Sequence, residues 1–289
     1  MPAPATRLAG ESGGLTVRIW YQSMADISRY PAYGEALRRR ARGLLRPDTE
    51  VEVSGVVVGT YGDLPPTSVS IHPLAYHVLL DQVVGLAIRA EREGFDVMAL
   101  GSFSEPHLRV IRSAVDIPVV SLAESTLLTG CMLARKVGVV TVTRRIRWMI
   151  EHIVDGHHLG ERVAPIGVLD PEFSEDDLAA ALDDPRGLVD AFLAAARRLI
   201  EHEFVDVIVP GEGILSQMLA DEGVREIDGV SVMDGAAVTL THAEMMATLH
   251  RATGLTPGRR WEFLKPDAAL RARLREHAGQ HPLSASELR

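Results

Sequence analysis

The sequence predicts an α/β protein of two pseudo-symmetric lobes, each a mostly parallel sheet flanked by helices, with a site in the cleft between them. Three observations carry this. Strand-like and helix-like segments alternate along the chain, the pattern of parallel sheets covered on both faces. The stretch Asp96-Val97-Met98-Ala99-Leu100-Gly101-Ser102 returns as Asp206-Val207-Ile208-Val209-Pro210-Gly211-Glu212: Asp, four apolar residues, Gly, then a polar residue where a helix opens. The onward spacing also matches, with 19 residues from Ser102 to the strand end at Ser121 and 22 from Glu212 to Asp234. Open α/β sheets bind ligands beyond the carboxyl ends of their strands. Two such lobes facing each other would set Ser102 and Glu212 on opposite walls of one cleft.

Taken in order, residues 15–21 alternate and are β-branched and aromatic, which predicts the first strand, ending at Gln22 and Ser23. A helix over 30–45 follows, with Arg38, Arg39, Arg40 and Arg42 on a solvated face. Residues 50–58 read as the second strand. The stretch 59–70, with Gly62, Pro65 and Pro66, is a loop too long for a simple connection, which points to function. A helix over 74–93 closes at Gly94. The third strand is 97–100, followed by a helix from about 105 to 114, a fourth strand at 117–121 and a helix over 124–135. The second lobe reads as a strand at 137–142, a helix to His152, a strand at 163–169 and an acidic solvated excursion at 170–184. A helix at 187–204, a strand at 207–209, a helix at 214–222 and a strand at 230–233 complete it, and a helix at 236–253 follows. The expected organisation is a disordered arm at 1–14, a first lobe at 15–121 completed by helix 236–253, a second lobe at 122–235, and an extension at 254–289.

With 289 residues, 46% hydrophobic and 24% charged, the chain is long enough to bury a sizeable core. Its formal charge of −9 argues against nucleic acid or an anionic membrane as main partner. No run of eighteen apolar residues suggests a membrane span. Cys131 is the single cysteine, so an intrachain disulfide and a thiolate metal cluster are excluded, as suits a cytoplasmic protein. Its place in the apolar stretch 127–134 predicts buried packing. His152, His157 and His158 lack a metal-ligand spacing and read as solvated surface.

At this point the chain resembles the aspartate/glutamate/hydantoin racemase superfamily, which also includes maleate isomerase and arylmalonate decarboxylase. The resemblance covers roughly residues 15–253 and rests on the order of elements and three segments. Leu100-Gly101-Ser102-Phe103-Ser104-Glu105-Pro106 is similar to the turn that carries the family's first catalytic cysteine. Val209-Pro210-Gly211-Glu212-Gly213 is similar to the turn of the second cysteine, and the segment 117–124 looks like its counterpart in the hydantoin branch. The resemblance implies a two-lobed enzyme without cofactor or metal, moving a proton between the two faces of a carbon next to a carboxylate or imide carbonyl. The sequence departs from the pattern with Ser102 and Glu212 at the two cysteine positions. Phe103-Ser104 and Gly213-Ile214 replace the Asn-Thr and Thr-His pairs that follow the cysteines in glutamate-type members.

Abstraction of a proton next to a carbonyl needs a positioned base and donors for the enolate oxygen. Glu212 is the candidate base, with Gly211 and Gly213 letting backbone N–H groups approach a ligand. Helix-start electrostatics favour its carboxylate while burial favours the acid. The alternative is a plain helix-start carboxylate. Ser102 is the candidate hydrogen-bond donor, or else an N-cap of the helix that follows. Candidate substrate contacts are Gln22, Ser23, Tyr76, Phe103, Ser104, Glu124, Ser125, Thr141 and Thr143, each with a capping or packing alternative. The expected substrate is a small carboxylate or a cyclic amide, and a homo-oligomer is expected because the extension carries Trp261 and Phe263, for which an isolated lobe pair has no obvious need. A lyase or hydrolase on the same scaffold, and a non-catalytic small-molecule binder, are the rival readings.

Overall fold

In the computed structural model the described residues are 16–278; the expected disordered arm at 1–14 and the end of the extension lie outside them. The first sheet holds β1 (Arg18–Gln22), β2 (Glu50–Ser54), β3 (Val97–Leu100) and β4 (Val119–Ser121) in the order β2-β1-β3-β4, all parallel. The connections are α1 (Pro31–Leu44), α2 (Pro66–Ser70), α3 (Pro73–Arg92) and α4 (Leu108–Ala114). From Ser121, α5 (Leu122–Leu133) crosses to the second sheet, which holds β5 (Val137–Thr141), β6 (Gly167–Val168), β7 (Val207–Pro210), β8 (Glu226–Ile227) and β9 (Val230–Val232). Its order is β6-β5-β7-β9-β8, parallel except for the β8–β9 hairpin. Its helices are α6 (Arg144–Gly156), α7 (Glu175–Ala181), α8 (Arg186–Glu203) and α9 (Gly213–Asp221). The chain then returns through α10 (Gly235–Thr253) and ends the described region with α11 (Ala268–Ala278).

Period-two alternation distributes each strand between two cores. Val17, Ile19 and Tyr21 face α1 and α10, with Ala236, Leu240, Ala243 and Ala247 packed against them. Trp20 faces the other way, towards Val83, Ala87, Met98 and Ile111. In the second sheet Val137, Val139, Val207 and Val209 pack with Leu127 and Ile150, while Val140 and Ile208 pack with Leu188, Phe192 and Leu215. The central strands β3, β5 and β7 are buried on both faces, which is why they are apolar along almost their whole length, while the edge strand β2 exposes Glu50 and Glu52. The small residues along one stripe of α10 let it lie close on the first sheet, although it follows the second in sequence.

Several expectations are corrected. The second strand stops at Ser54: a Cβ on Gly55 would stand 2.3 Å from the Ala25 carbonyl, and Val57 and Val58 turn outward. Pro165 interrupts the predicted strand 163–169, leaving a Val137–Val163 bridge and the two residues of β6. The helix after β3 begins at Leu108, because Glu105 and His107 take left-handed backbone angles, φ 47° and 51°. The arginine face of α1 is not simply solvated: Arg40 binds Asp234 at 2.5 Å and Asp221 at 3.2 Å, joining α1 to α9 and α10. Cys131 is half-buried, and its neighbours Leu128, Met132 and Leu133 are exposed. The extension is clamped to the first lobe by Arg259, which donates to the carbonyls of Arg112 (2.6 Å) and Val115 and pairs with Asp116 at 2.9 Å, and by Lys265 on Asp116 at 2.7 Å. Trp261 stays 81% exposed.

Gly101 generates the first prediction. A Cβ there would lie 2.3 Å from the ring and hydroxyl of Tyr21, which is held on all sides in the core. G101A therefore costs roughly 2 kcal/mol or more of stability by overpacking. Urea unfolding checks this, and a midpoint equal to wild type counts against it.

Candidate active site

The two glycine turns meet. A Cβ on Gly213 would press at 3.3 Å on the Gly101 carbonyl and at 3.5 Å on the Tyr33 hydroxyl. The turn after β3, carrying Ser102, and the turn after β7, carrying Glu212, thus sit against each other at the carboxyl ends of their sheets. On the first wall, the Tyr76 hydroxyl donates to Ser104 Oγ at 2.9 Å, and Ser104 Oγ is 2.9 Å from Ser102 Oγ. The Ser104 N–H also donates to Ser102 Oγ at 3.3 Å. Either serine hydroxyl can be the donor in the Ser102–Ser104 bond; in the arrangement where Ser104 donates, the Ser102 proton is free to point outward, and successive donation polarises it. Ser102 does not cap a helix, since α4 starts only at Leu108.

On the second wall, Glu212 is the N-cap of α9, and its Oε2 accepts from the Leu215 N–H at 2.7 Å. Two influences oppose each other here. Enclosure by protein disfavours the charged form, and the negative field of Glu175 adds to that; the N–H groups of Leu215, Ile214 and Gly213 favour the carboxylate. Enclosure wins, and the carboxyl pKa is pushed up from 4.5 to about 7. The side chain keeps some accessible surface while the protein walls it in, as a group at the bottom of a cleft should be. Beneath it, the buried hydroxyls of Tyr33, Tyr21 and Ser23 are in hydrogen-bond contact; burial and the Glu212 charge push both phenols upward, so they remain protonated.

The other sequence candidates divide. Tyr76, Ser104, Ser23 and Gly213 belong to this cluster. Gln22 is fully buried, its amide accepting from Trp20 Nε1 at 2.9 Å and donating to the Ser23 carbonyl at 2.8 Å. Phe103 is packed with Leu122, Ala123 and Leu127 between the lobes. Glu124 is drawn off by Arg112, which binds both of its oxygens. Ser125 is buried within α5. Thr141 is buried and donates to the Gly211 carbonyl at 3.2 Å, and Thr143 caps α6 through the Ile146 N–H. Gly211 is enclosed by Ile150, Val139 and Thr141 and leaves no room for a side chain. A separate cavity of about 230 Å³ lies behind α9, lined by Leu219, Val224, Val232 and Met233, away from both turns.

Three residues near Glu212 escaped the sequence reading. Tyr21 and Tyr33 have a usable signal, a polar aromatic at a strand end and another in the first turn of the next helix. Glu175 has none: it stands inside the acidic stretch taken for solvated surface, yet its charge reaches Glu212 and Tyr61. Among the described residues no group of His, Cys, Asp and Glu is placed to hold a metal ion, and no helix is long and apolar enough to cross a membrane.

Comparison with known proteins gives this geometry a family. The family model for Asp/Glu/hydantoin racemases matches residues 32–243, so the chain belongs to that family and is an enzyme of the racemase type. A hydantoin racemase from Pseudomonas sp. strain NS671 is 28% identical over 227 residues, covering 77% of this chain and 84% of that protein. Among solved structures, the allantoin racemase from Klebsiella pneumoniae superposes with a TM-score of 0.69 at 22% identity, over 87% of this chain and 94% of its own. That from Pseudomonas fluorescens gives 0.70 at 22%, over 86% and 97%.

The raised pKa of Glu212 makes a stability prediction. Between pH 4.5 and about 7 the folded state holds this proton more tightly than the unfolded chain does. The contribution to stability is therefore complete below pH 4.5 and is lost as pH climbs to about 7. E212Q keeps the shape and cap without the charge, so it should match wild type at pH 5 and exceed it by roughly 1–3 kcal/mol at pH 8. Urea unfolding at the two pH values measures this; a variant less stable than wild type at pH 8 contradicts it.

Proposed function

We propose that this enzyme moves a proton at the ring carbon next to a carbonyl of a small cyclic amide of the hydantoin type, with Glu212 as the base. The observation that carries the reading is a carboxyl held near pKa 7 at a helix start, on the turn that abuts the Ser102 turn. At neutral pH such a group is present in both forms, so it can take a proton and return it. Ser102, at the end of the Tyr76–Ser104 hydroxyl chain, donates to the oxygen on which enolate charge develops. The relatives named hydantoin and allantoin racemase support the substrate class, since allantoin itself contains a hydantoin ring. A small carboxylate is the other substrate class compatible with one base and one donor.

The test is polarimetry on 5-substituted hydantoins, allantoin included, together with NMR of ring C–H exchange in D2O. E212Q should lose on the order of a hundredfold or more in rate. S102A should lose roughly tenfold, as befits one hydrogen bond. The wild-type rate should rise with pH through about 7 as Glu212 ionises. Thiol alkylation and chelators should leave turnover intact, because Cys131 lies on α5 away from both turns. Full activity in E212Q ends the single-base reading, and a covalent adduct on Ser102 would make the enzyme a hydrolase instead.

A further inference from the structure

Between Ser102 and α4 the chain takes two non-glycine residues, Glu105 and His107, into the left-handed region. Each costs about 1 kcal/mol or more, and such residues persist only where their surroundings impose the conformation. For Glu105 those surroundings are visible. Its Oε1 accepts from Ser121 Oγ and from the Glu124 N–H at 3.0 Å, and its Oε2 accepts from His157 Nε2 at 2.7 Å. Ser121 and Glu124 lie at the end of β4 and the start of α5, beside Glu105 on the first sheet. His157 is different: it is the C-cap of α6, a helix packed on the second sheet.

The predicted solvated histidine is therefore a bond from one sheet's layer to the other's, with both side chains largely enclosed, 10% and 20% exposed. The groups facing the imidazole are Glu105, Glu124 at 4.0 Å from Nδ1, and Arg112, while Arg109 on α4 donates to the neighbouring Gly156 carbonyl at 3.4 Å. Arg112 occupies both oxygens of Glu124 and so leaves Glu105 as the partner of His157. The hydrogen bond to Glu105 is the main reason the imidazole pKa is raised. A charge-assisted bond in an enclosed place is strong enough to offset the backbone cost.

We propose that His157 is a positioning residue: through Glu105 it fixes the turn 101–107 and so aims the Tyr76–Ser104–Ser102 hydroxyls into the cleft. The kinetic half of this rests on the function proposed above; the structural half does not. His157→Ala removes the donor, and His157→Gln keeps an N–H at similar reach. Hydrogen exchange by mass spectrometry should speed up roughly tenfold over residues 101–107 in H157A, return to near wild type in H157Q, and stay unchanged over 207–210. On a hydantoin that the wild type turns over, H157A should lower kcat roughly tenfold with KM moving much less, and H157Q should restore most of it.

Unchanged exchange over 101–107 in H157A overturns the proposal whether or not the wild type has any activity. Faster exchange with kcat unaltered, or faster exchange across 207–210 as well, overturns the positioning role in favour of a merely structural one. A wild type inactive on every hydantoin defeats the functional reading and leaves the exchange result to stand. Should H157A fail to fold, E105Q provides the second route. It keeps an acceptor for Ser121 and Glu124 but removes the charge, so the NMR titration of His157 should move to lower pH, because the hydrogen bond to Glu105 is what raises it; an unmoved titration refutes the pairing.

Discussion

The contact between the Gly101 carbonyl and Gly213 constrains everything around the cleft. Two strand-to-helix turns from different sheets can touch backbone to backbone only if neither presents a side chain at the point of meeting. At Gly101 the space a Cβ would need is taken by the Tyr21 ring, and at Gly213 it is bounded by the Gly101 carbonyl and the Tyr33 hydroxyl. Those tyrosines are in place because β1 and α1 bring them there, and α10 holds β1 and α1 from behind. The path of α10, which leaves the second sheet to pack on the first, is thus part of how the turns are brought together. Its N-cap Asp234 takes part in the same task, accepting from Ala237 N–H while binding Arg40 of α1.

Within that frame Glu212 carries a conflict between enclosure and helix-start hydrogen bonding. A carboxylate capping a surface helix would have its pKa lowered by the same N–H groups. Here it is raised, because the cleft takes away more hydration than three backbone donors return. On the proposed reading, a base near neutrality costs stability as pH rises from 4.5 to about 7, a familiar trade at sites that must hold a reactive charge.

Most of the architecture was legible because it follows from local rules. Apolar strands between capped helices, and the repeated Asp-apolar-Gly-polar unit, located β3, β7 and the two turns within a residue or two. The β8–β9 hairpin was missed although Asp228-Gly229, both with positive φ, is a strong signal for a tight hairpin turn; its strands are too short to show a period. The grouping of the candidate residues was legible where chemistry and chain position coincide, at Ser102, Ser104 and Glu212. It was not where a side chain crosses between layers. Nothing near Glu175 or His157 in sequence says that each reaches a residue far along the chain, and Gln22, at a strand end, gave a false lead because period two turned its amide into the packing beside Trp20.

The resemblance puts a hydroxyl, Ser102, and a carboxylate, Glu212, where two thiols are expected, and on that reading what the two walls can do is different. A pair of similar acids can trade roles as a proton passes from one face of a carbon to the other. A serine hydroxyl is too weak an acid and too weak a base for that at neutral pH, even polarised by Tyr76 and Ser104. On the proposed reading the walls therefore divide the work: Glu212 exchanges the proton and Ser102 fixes the oxygen that gains charge. Such a division places a heavier demand on geometry than on acidity in the first wall, since a hydrogen bond to a developing oxyanion is worth most when the donor is already aimed. That demand fits the construction of the Ser102 turn, in which backbone strain at Glu105 is held from two sheets at once.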